Sequence, residues 1–503
     1  MHIKKVFAII IYLLVTANRL DAQKNKPQTP VEPTKTDSTL EIDDFVLQQV
    51  YDWKIPGCAI AIIKNGKIFH TKGYEFRNLE KKALFSPKTI FPIGQCSMAF
   101  TSTALGILAD DGKIDWNKPV KYYLPEFELK DNDLSAKITV KDLLSHRSGL
   151  PQHDNLWLNT TLTKNEIFDR LKHLPTPAYR SENYQYNQLM YLVAGFLIEK
   201  ISLRKYEDFI KERILLPLEM NTTLFSTAEM TKSIDFALSY DVNNKKIGFE
   251  SNIDAMLPAA GIKSNTMDLS NWLIMLLNKG KFKNYKIISE KNLKAISTPL
   301  AVILPINDKY PELGYATTGM GWNINTYRGA IFKQAVGKVE GYCSSVTYFP
   351  NDDLGIIVTT NTQAYDNYFN TLITNHLSDY FLELDETAWD VLIKSDFEEN
   401  VIQKEEKDVK SQSNRKIGAM PTKPLADFVG EYENIAYGKL TISTKDSSLN
   451  CNFHKVDFGL NNYHYNVFEG SKEFKNCTFE FKENQQLTVT FPLSGEIEFI
   501  RKP

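Results

Sequence analysis

The order of apolar patterns constrains this chain most: strands open and close the body, and helices fill its middle. Cys58-Ala59-Ile60-Ala61-Ile62-Ile63 reads as a buried strand. Asn65-Gly66 signals a type I′ hairpin turn, and Lys67-Ile68-Phe69-His70-Thr71 returns as the partner strand. From Cys96 to Ala109 the period becomes helical, with Gly112 placed as a C-terminal cap. Ile138 to His146 starts another helix, with Thr139 as its N-cap candidate. Leu189 to Ile201 and Asp268 to Asn278 are further helices, the latter with Trp272, Leu273, Leu276 and Leu277 as its apolar face. Strands resume at Ala330-Ile331-Phe332, Ser345-Val346-Thr347-Tyr348-Phe349 and Gly355-Ile356-Ile357-Val358-Thr359-Thr360. This order predicts an α+β fold, an antiparallel sheet flanked by helices.

The flanks divide the rest. Residues 1–22 have the pattern of a signal peptide: Lys4 and Lys5, then an apolar run from Val6 to Ala17, then Leu20-Asp21-Ala22 before Gln23. The run is short for a bilayer span, and no Cys follows it to carry a lipoprotein anchor. The expectation is export, to a periplasm or outside the cell; an uncleaved anchor is the alternative. Residues 23–38, rich in Pro, Lys, Gln and Thr, read as a disordered tether, followed by a helix from Leu40 to about Trp53. The main domain spans 39–393. Residues 394–420 read as a linker because Lys394 to Arg415 is charged and poor in apolar residues. Residues 421–503 read as a small antiparallel β domain, barrel-like, with alternation in Leu440-Thr441-Ile442-Ser443 and Thr478-Phe479-Glu480-Phe481. Asp446-Ser447-Ser448, Asn461-Asn462 and Ser494-Gly495 supply its turns.

Composition excludes several function classes. A length of 503 residues at 43% hydrophobic supports a large core plus a smaller domain. A net charge of −2 without a basic stripe argues against nucleic acid as a partner. The five cysteines, Cys58, Cys96, Cys343, Cys451 and Cys477, fit no metal spacing, and neither do His454 and His464. Cys451 and Cys477 could pair in an oxidising compartment, but single buried thiols are the preferred reading. No metal and no cofactor is expected.

Four landmarks follow one another along the body. The first is Phe91-Pro92-Ile93-Gly94 leading to Ala99-Phe100-Thr101, Gly106-Ile107-Leu108, Asp111-Gly112-Lys113-Ile114-Asp115 and Tyr123-Leu124-Pro125-Glu126-Phe127. The second is Ile138-Thr139-Val140-Lys141-Asp142-Leu143-Leu144-Ser145-His146-Arg147-Ser148-Gly149-Leu150-Pro151. The third runs from Tyr184-Gln185-Tyr186-Asn187-Gln188 to Gly195, and the fourth is Pro258-Ala259-Ala260-Gly261-Ile262-Lys263-Ser264. In this order, over roughly Ile55 to Asp379, the chain resembles the serine β-lactamase and penicillin-binding-protein-like hydrolases, of the class C-like kind. The segment with Phe428-Val429-Gly430-Glu431-Tyr432 and Tyr463-His464-Tyr465 looks like a small domain often appended to that family.

The resemblance implies a catalytic apparatus of three motifs. A Ser-x-x-Lys pair supplies nucleophile and base, a Tyr-x-Asn segment a second acid or base and an orienting amide, and a late-strand Lys or His, one residue, then Gly completes the pocket and oxyanion hole. This chain departs from it at each motif. The serine position reads Gln95 and the lysine position Met98; neither side chain can form an acyl enzyme or act as base near neutral pH. Tyr186 remains, the Asn position reads Gln188, and Ala335 stands where the Lys or His belongs, followed by the matching Gly337. Ser97 has Phe100 three residues on and points about 200° round the helix from Gln95. Cys96 is read as a buried small hydrophobe and His146 as structural. Charged and nucleophilic groups have gone together, which predicts a ligand-binding pseudoenzyme. Its partner would be a small molecule or peptide in the cleft, such as a cell-wall fragment or acyl compound, in keeping with an association with the cell envelope. The alternatives are non-covalent chemistry with Tyr186 as acid or base, or residual hydrolysis of esters, amides or D-peptides.

Overall fold

The computed structural model describes residues 35–176, 184–249, 252–303, 309–413, 415–416 and 418–503. The expected leader and most of the expected tether lie outside the described residues. Residues 35–47 are helical, within a helix α1 (Lys35–Asp52) that starts at Lys35 rather than Leu40.

In the remainder, strand β1 (Gly57–Lys64) is buried along nearly its whole length because it is central. It pairs on one side with β2 (Lys67–Asn78) and on the other with β9 (Leu354–Thr360), Ala61 opposite Ile357. The β1–β2 turn has φ of 52° at Asn65 and 67° at Gly66, the two positive values that a type I′ turn requires. With β3 (Ala83–Leu84), β4 (Ala301–Val302), β5 (Thr317–Thr318), β6 (Asn323–Tyr327), β7 (Ala330–Val339) and β8 (Tyr342–Phe349), they form one nine-stranded sheet. Its order is β3-β2-β1-β9-β8-β7-β6-β5-β4, with every recorded pairing antiparallel. The sheet brings the first and last strands of the body side by side, so its core closes only when residues three hundred positions apart have paired.

Helices cover the sheet. α4 (Thr266–Leu277) packs so tightly on β9 that a Cβ at Gly355 would lie 2.6 Å from Leu273 Cδ2. α6 (Tyr368–Phe381) also docks on β9, where Asn370 Nδ2 donates to Val358 O at 3.1 Å. α2 (Ser97–Asp110) is buried all round from Ser97 to Leu108, which marks it as the centre of the helical layer rather than a surface helix. Its Phe100 stacks on Trp272 of α4 at 4.0 Å. Among the helices around it are α3 (Leu189–Ser202) and α5 (Glu290–Ile296). Thr139 forms a capping box with Asp142, as the S/T-x-x-D/E pattern favours.

The charged stretch read as a linker is instead most of a 25-residue helix, α7 (Trp389–Ser413). Glu, Lys and Gln are strong helix formers, and Trp389, Ile393 and Phe397 fall four residues apart on one face. Trp389 and Ile393 are buried, and the Phe397 ring meets Trp53, Tyr365 and Tyr368. Asp379 fastens the helix to the sheet: it accepts from Tyr327 Oη at 2.6 Å, Arg328 Nη1 at 3.0 Å and Trp389 Nε1 at 2.9 Å.

The C-terminal segment closes into a barrel of eight antiparallel strands, from Gly430–Asn434 to Gly495–Arg501. Its interior is filled with rings, among them Phe453, Phe458, Phe468, Phe479, Phe491 and Phe499. Cys451 and Cys477 are buried there as free thiols. The barrel sits on one segment of the body. Tyr437 Oη bonds His153 Nδ1 at 2.8 Å, Ser494 Oγ donates to Gln152 O at 2.6 Å, His454 Nε2 donates to Asn155 O at 2.9 Å, and Arg170 Nη1 donates to Ala436 O at 2.9 Å. His153 Nε2 lies 3.2 Å from Pro175 O, so Nε2 carries the proton and Nδ1 accepts from the tyrosine.

Two predictions follow from these contacts. Asp379→Ala strands two buried donors, Tyr327 and Trp389, and a partly exposed Arg328, and should cost about 3–5 kcal/mol in urea unfolding. Burial lowers both His153 and His454 to about 4. Their stabilising effect is therefore complete above the ordinary value near 6.5 and is lost as pH falls through about 4. Acidification over that window should weaken barrel docking, by roughly 1–3 kcal/mol at His153 alone. Replacing His153 with Gln should flatten the dependence of unfolding free energy on pH.

Candidate functional site

A tight approach of two backbones sets the site. Gly94, with φ of +55°, begins the 3₁₀ turn (Gly94–Cys96) that leads into α2, and β7 crosses it at Gly337. A Cβ on Gly337 would lie 1.9 Å from Ile93 O and 2.9 Å from Gln95 N; one on Gly94 would lie 2.9 Å from Lys338 N. Only glycine at both positions lets the strand reach the start of α2. The same geometry sets the Gln95 side chain beside the backbone N–H of Lys338, the residue after Gly337.

Above this contact is a cleft of about 450 Å³. Gln95, Met98, Tyr186, Gln188 and Ala335 all line it, while Gly337 lies behind Gln95. Met98 presents its thioether one helical turn after Gln95 and is 4% exposed. Ala335 is buried on β7. The Tyr186 ring lies 4.7 Å from that of His146. Burial, followed by the nearby Asp154 charge, pushes the Tyr186 phenol well above its usual value. It is therefore a neutral hydroxyl at physiological pH, with no cation placed at Met98 or Ala335 to lower it.

The amides form a directed chain. Lys338 N–H donates to Gln95 Oε1 at 2.8 Å, Gln95 Nε2 donates to Gln188 Oε1 at 3.3 Å, and Gln188 Nε2 donates to Asp154 Oδ2 at 2.8 Å. Trp157 Nε1 at 3.1 Å and Gln152 Nε2 also donate to Asp154. Lys338 N–H can only donate, so Gln95 must turn its carbonyl to Lys338 and its NH₂ to Gln188 Oε1, which leaves the Gln188 NH₂ for Asp154. Burial raises the Asp154 carboxyl, and the three side-chain donors oppose that shift.

Other polar candidates are occupied structurally. Ser97 Oγ donates to Gly94 O at 2.7 Å and accepts from Ile262 N at 3.1 Å. Cys96 is buried, its thiol raised by desolvation and pointed at Ala335 O at 3.4 Å, so it is not a nucleophile. His146 Nδ1 accepts from Asn187 N–H at 3.2 Å, and burial lowers the ring to about 4. Among the described residues no cluster of three or more His, Cys, Asp or Glu is placed to hold a metal, and no helix is long and apolar enough to cross a membrane.

Sequence reasoning did not find Gln152 and Asp154, nor the further cleft residues Trp322, Asn323 and Gln334. The one signal for the first two was a polar run, Gln152-His153-Asp154-Asn155, directly after the second landmark.

Comparison with known proteins agrees with this architecture. A Beta-lactamase family profile matches residues 42–378, and a profile for a domain of unknown function, DUF3471, matches residues 414–500. The "Unguisins hydrolase ungD'" of Aspergillus campestris is 28% identical over 418 residues, 79% of this chain and 76% of its own length. Protein flp of Staphylococcus aureus is 29% identical over 359 residues, 68% of this chain and 67% of its own. The octameric penicillin-binding protein homologue from Pyrococcus abyssi superposes with a TM-score of 0.61 at 21% identity, over 92% of this chain and 99% of that one. A class C β-lactamase from Rhodobacter sphaeroides does so at 0.55 and 17% identity, over 68% and 99%. With a profile match across most of its length and the strand and helix order that the landmarks require, this chain belongs to the Beta-lactamase family.

Proposed function

We propose that this chain is a non-acylating member of its family that binds an uncharged polar ligand, a short peptide or cell-wall fragment, without forming a covalent bond to it. The observation that carries this reading is the hydrogen bond from Lys338 N–H to Gln95 Oε1. In an acyl-transfer site a backbone donor at that position would polarise the substrate carbonyl. Here it is engaged by the side chain that stands in place of the nucleophile. Gln95, Gln152, Gln188, Asn323 and Gln334 all face the cleft, with Tyr184, Tyr186 and Trp322 as ring surfaces. Amides both donate and accept, and rings cover apolar faces, which suits a ligand of peptide or sugar groups better than an ionised one. Export to the cell envelope, the compartment that the sequence of residues 1–22 suggests, would place the protein beside such ligands.

The name of the Aspergillus relative favours a second reading, turnover by a surviving hydrolase. It requires a base, and Tyr186 would have to serve against its raised phenol and without a neighbouring cation.

Wild-type protein should show no covalent labelling by a fluorophosphonate or a fluorescent penicillin, read by gel fluorescence and intact mass. Stoichiometric labelling would overturn the proposal and favour the hydrolase. In a thermal-shift screen of peptidoglycan fragments and D-amino-acid peptides, a ligand at 100 times its dissociation constant should stabilise the fold by about 2.7 kcal/mol. The shift should shrink in Gln188→Ala.

A further inference from the structure

A second and larger concavity lies on the same sheet. It is a groove of about 780 Å³ between α4, α5 and strands β5 to β8. That volume falls within the range of small-molecule sites, ~300–1,000 Å³. Leu276, Leu277, Leu293, Ile324 and Ile331 make its wall aliphatic. It stands back to back with the cleft: Tyr348 lines the groove, and its ring meets Trp322 of the cleft edge-on at 5.2 Å.

Three lysines line the groove, and two of them, Lys333 and Lys294, have no carboxylate partner among the described residues. Lys333, half-buried on β7, donates to Ser297 Oγ at 2.7 Å and lies 5.5 Å from the Tyr348 ring centre. The Ser297 hydroxyl passes its own proton to Leu293 O at 2.7 Å, so it meets Lys333 as an acceptor. Lys294 of α5 is close enough to repel it; burial, followed by that repulsion, lowers Lys333 to about 8. Among the described residues no carboxylate pairs with either lysine. Glu290 of the same groove, one helical turn before Lys294, is paired with Lys279 at 3.4 Å. An aliphatic groove that carries two cations without a carboxylate partner matches one ligand chemistry, a carboxylate on a single hydrocarbon chain. A neutral lipid leaves the cations uncompensated, and a peptide finds too few polar partners along the leucines.

We propose that this groove binds a fatty acid, its carboxylate at Lys333 and Lys294 and its chain along Leu276, Leu293 and Ile324. The chain is held by burial, so each added methylene should tighten binding about fourfold until the groove is filled. The head is held by charge-assisted hydrogen bonds, so its loss should be costly.

Isothermal titration of the full chain with laurate tests this. Saturable one-to-one binding is expected, weaker for decanoate. Lys333→Gln should weaken laurate about tenfold or more, and Lys333→Arg should retain it. Dodecanol, with a neutral head, should bind wild type and Lys333→Gln alike. Ile331 is 42% exposed at the lip, where a new side chain does not threaten the core. Ile331→Glu should therefore abolish binding with the melting temperature unchanged. Gln188→Ala in the cleft should leave laurate affinity as it was. Absence of saturable binding, equal laurate affinity in wild type and Lys333→Gln, or a loss confined to Gln188→Ala would each overturn the proposal.

Discussion

Two backbones meet at Gly94 and Gly337 with no side chain between them, and the cleft takes its shape from that meeting. A strand that carried a Cβ at position 337 would stand off from α2 by at least the width of a methyl group. Lys338 N–H would then be out of reach of Gln95, and the amide chain would have no first link. Because β7 is held in register by β8 over Lys333 to Val339 and by β6 over Ala330 to Gln334, a shift there could not stay local. The glycine contact thus couples the central sheet to the helical layer, and the reactive centre of a hydrolase would sit where the two join.

The cleft around that contact is arranged for neutrality. A serine nucleophile with its lysine needs stabilised charge, and neither position supplies it here. Met98 and Ala335 place no ammonium or imidazolium at the site, and the ammonium of Lys338, which lines the cleft, is paired with Asp366, which suits an environment where an unpaired ion is costly. The carboxylate of Asp154 lies behind Gln188 and spends its lone pairs on Gln188, Gln152 and Trp157. The polar order that remains is an order of dipoles, with its sense dictated by the backbone N–H of Lys338.

Much of the fold could be read in advance because its signals are local. The Asn65-Gly66 turn, the Thr139 cap and the helical period of α2 each follow from a few neighbouring residues, and the landmark order carried the residues of the cleft. What could not be read depends on partners distant in sequence. Asp154 gains its role from Gln188 and the ring of Trp157, yet its own segment has no periodicity to mark it. Helix α7 was hidden because charged residues outnumber the Trp389, Ile393 and Phe397 stripe that docks it. Alternation in two short segments suggested a barrel, but its closure between the strands at Gly430 and Gly495 is a property of the whole set.

The barrel also changes what ownership of the cleft means. Gln152, His153 and Asn155, which flank Asp154, are gripped from the barrel by Ser494, Tyr437 and His454. The amide chain therefore starts on the sheet of one domain and ends on a loop clamped by another. The two domains act in series, like a string tuned from a peg outside the sounding board. Sequence drift in the barrel can shift the support of Asp154 without altering any residue that lines the cleft, so constraint on the cleft extends to a domain that contributes nothing to its wall.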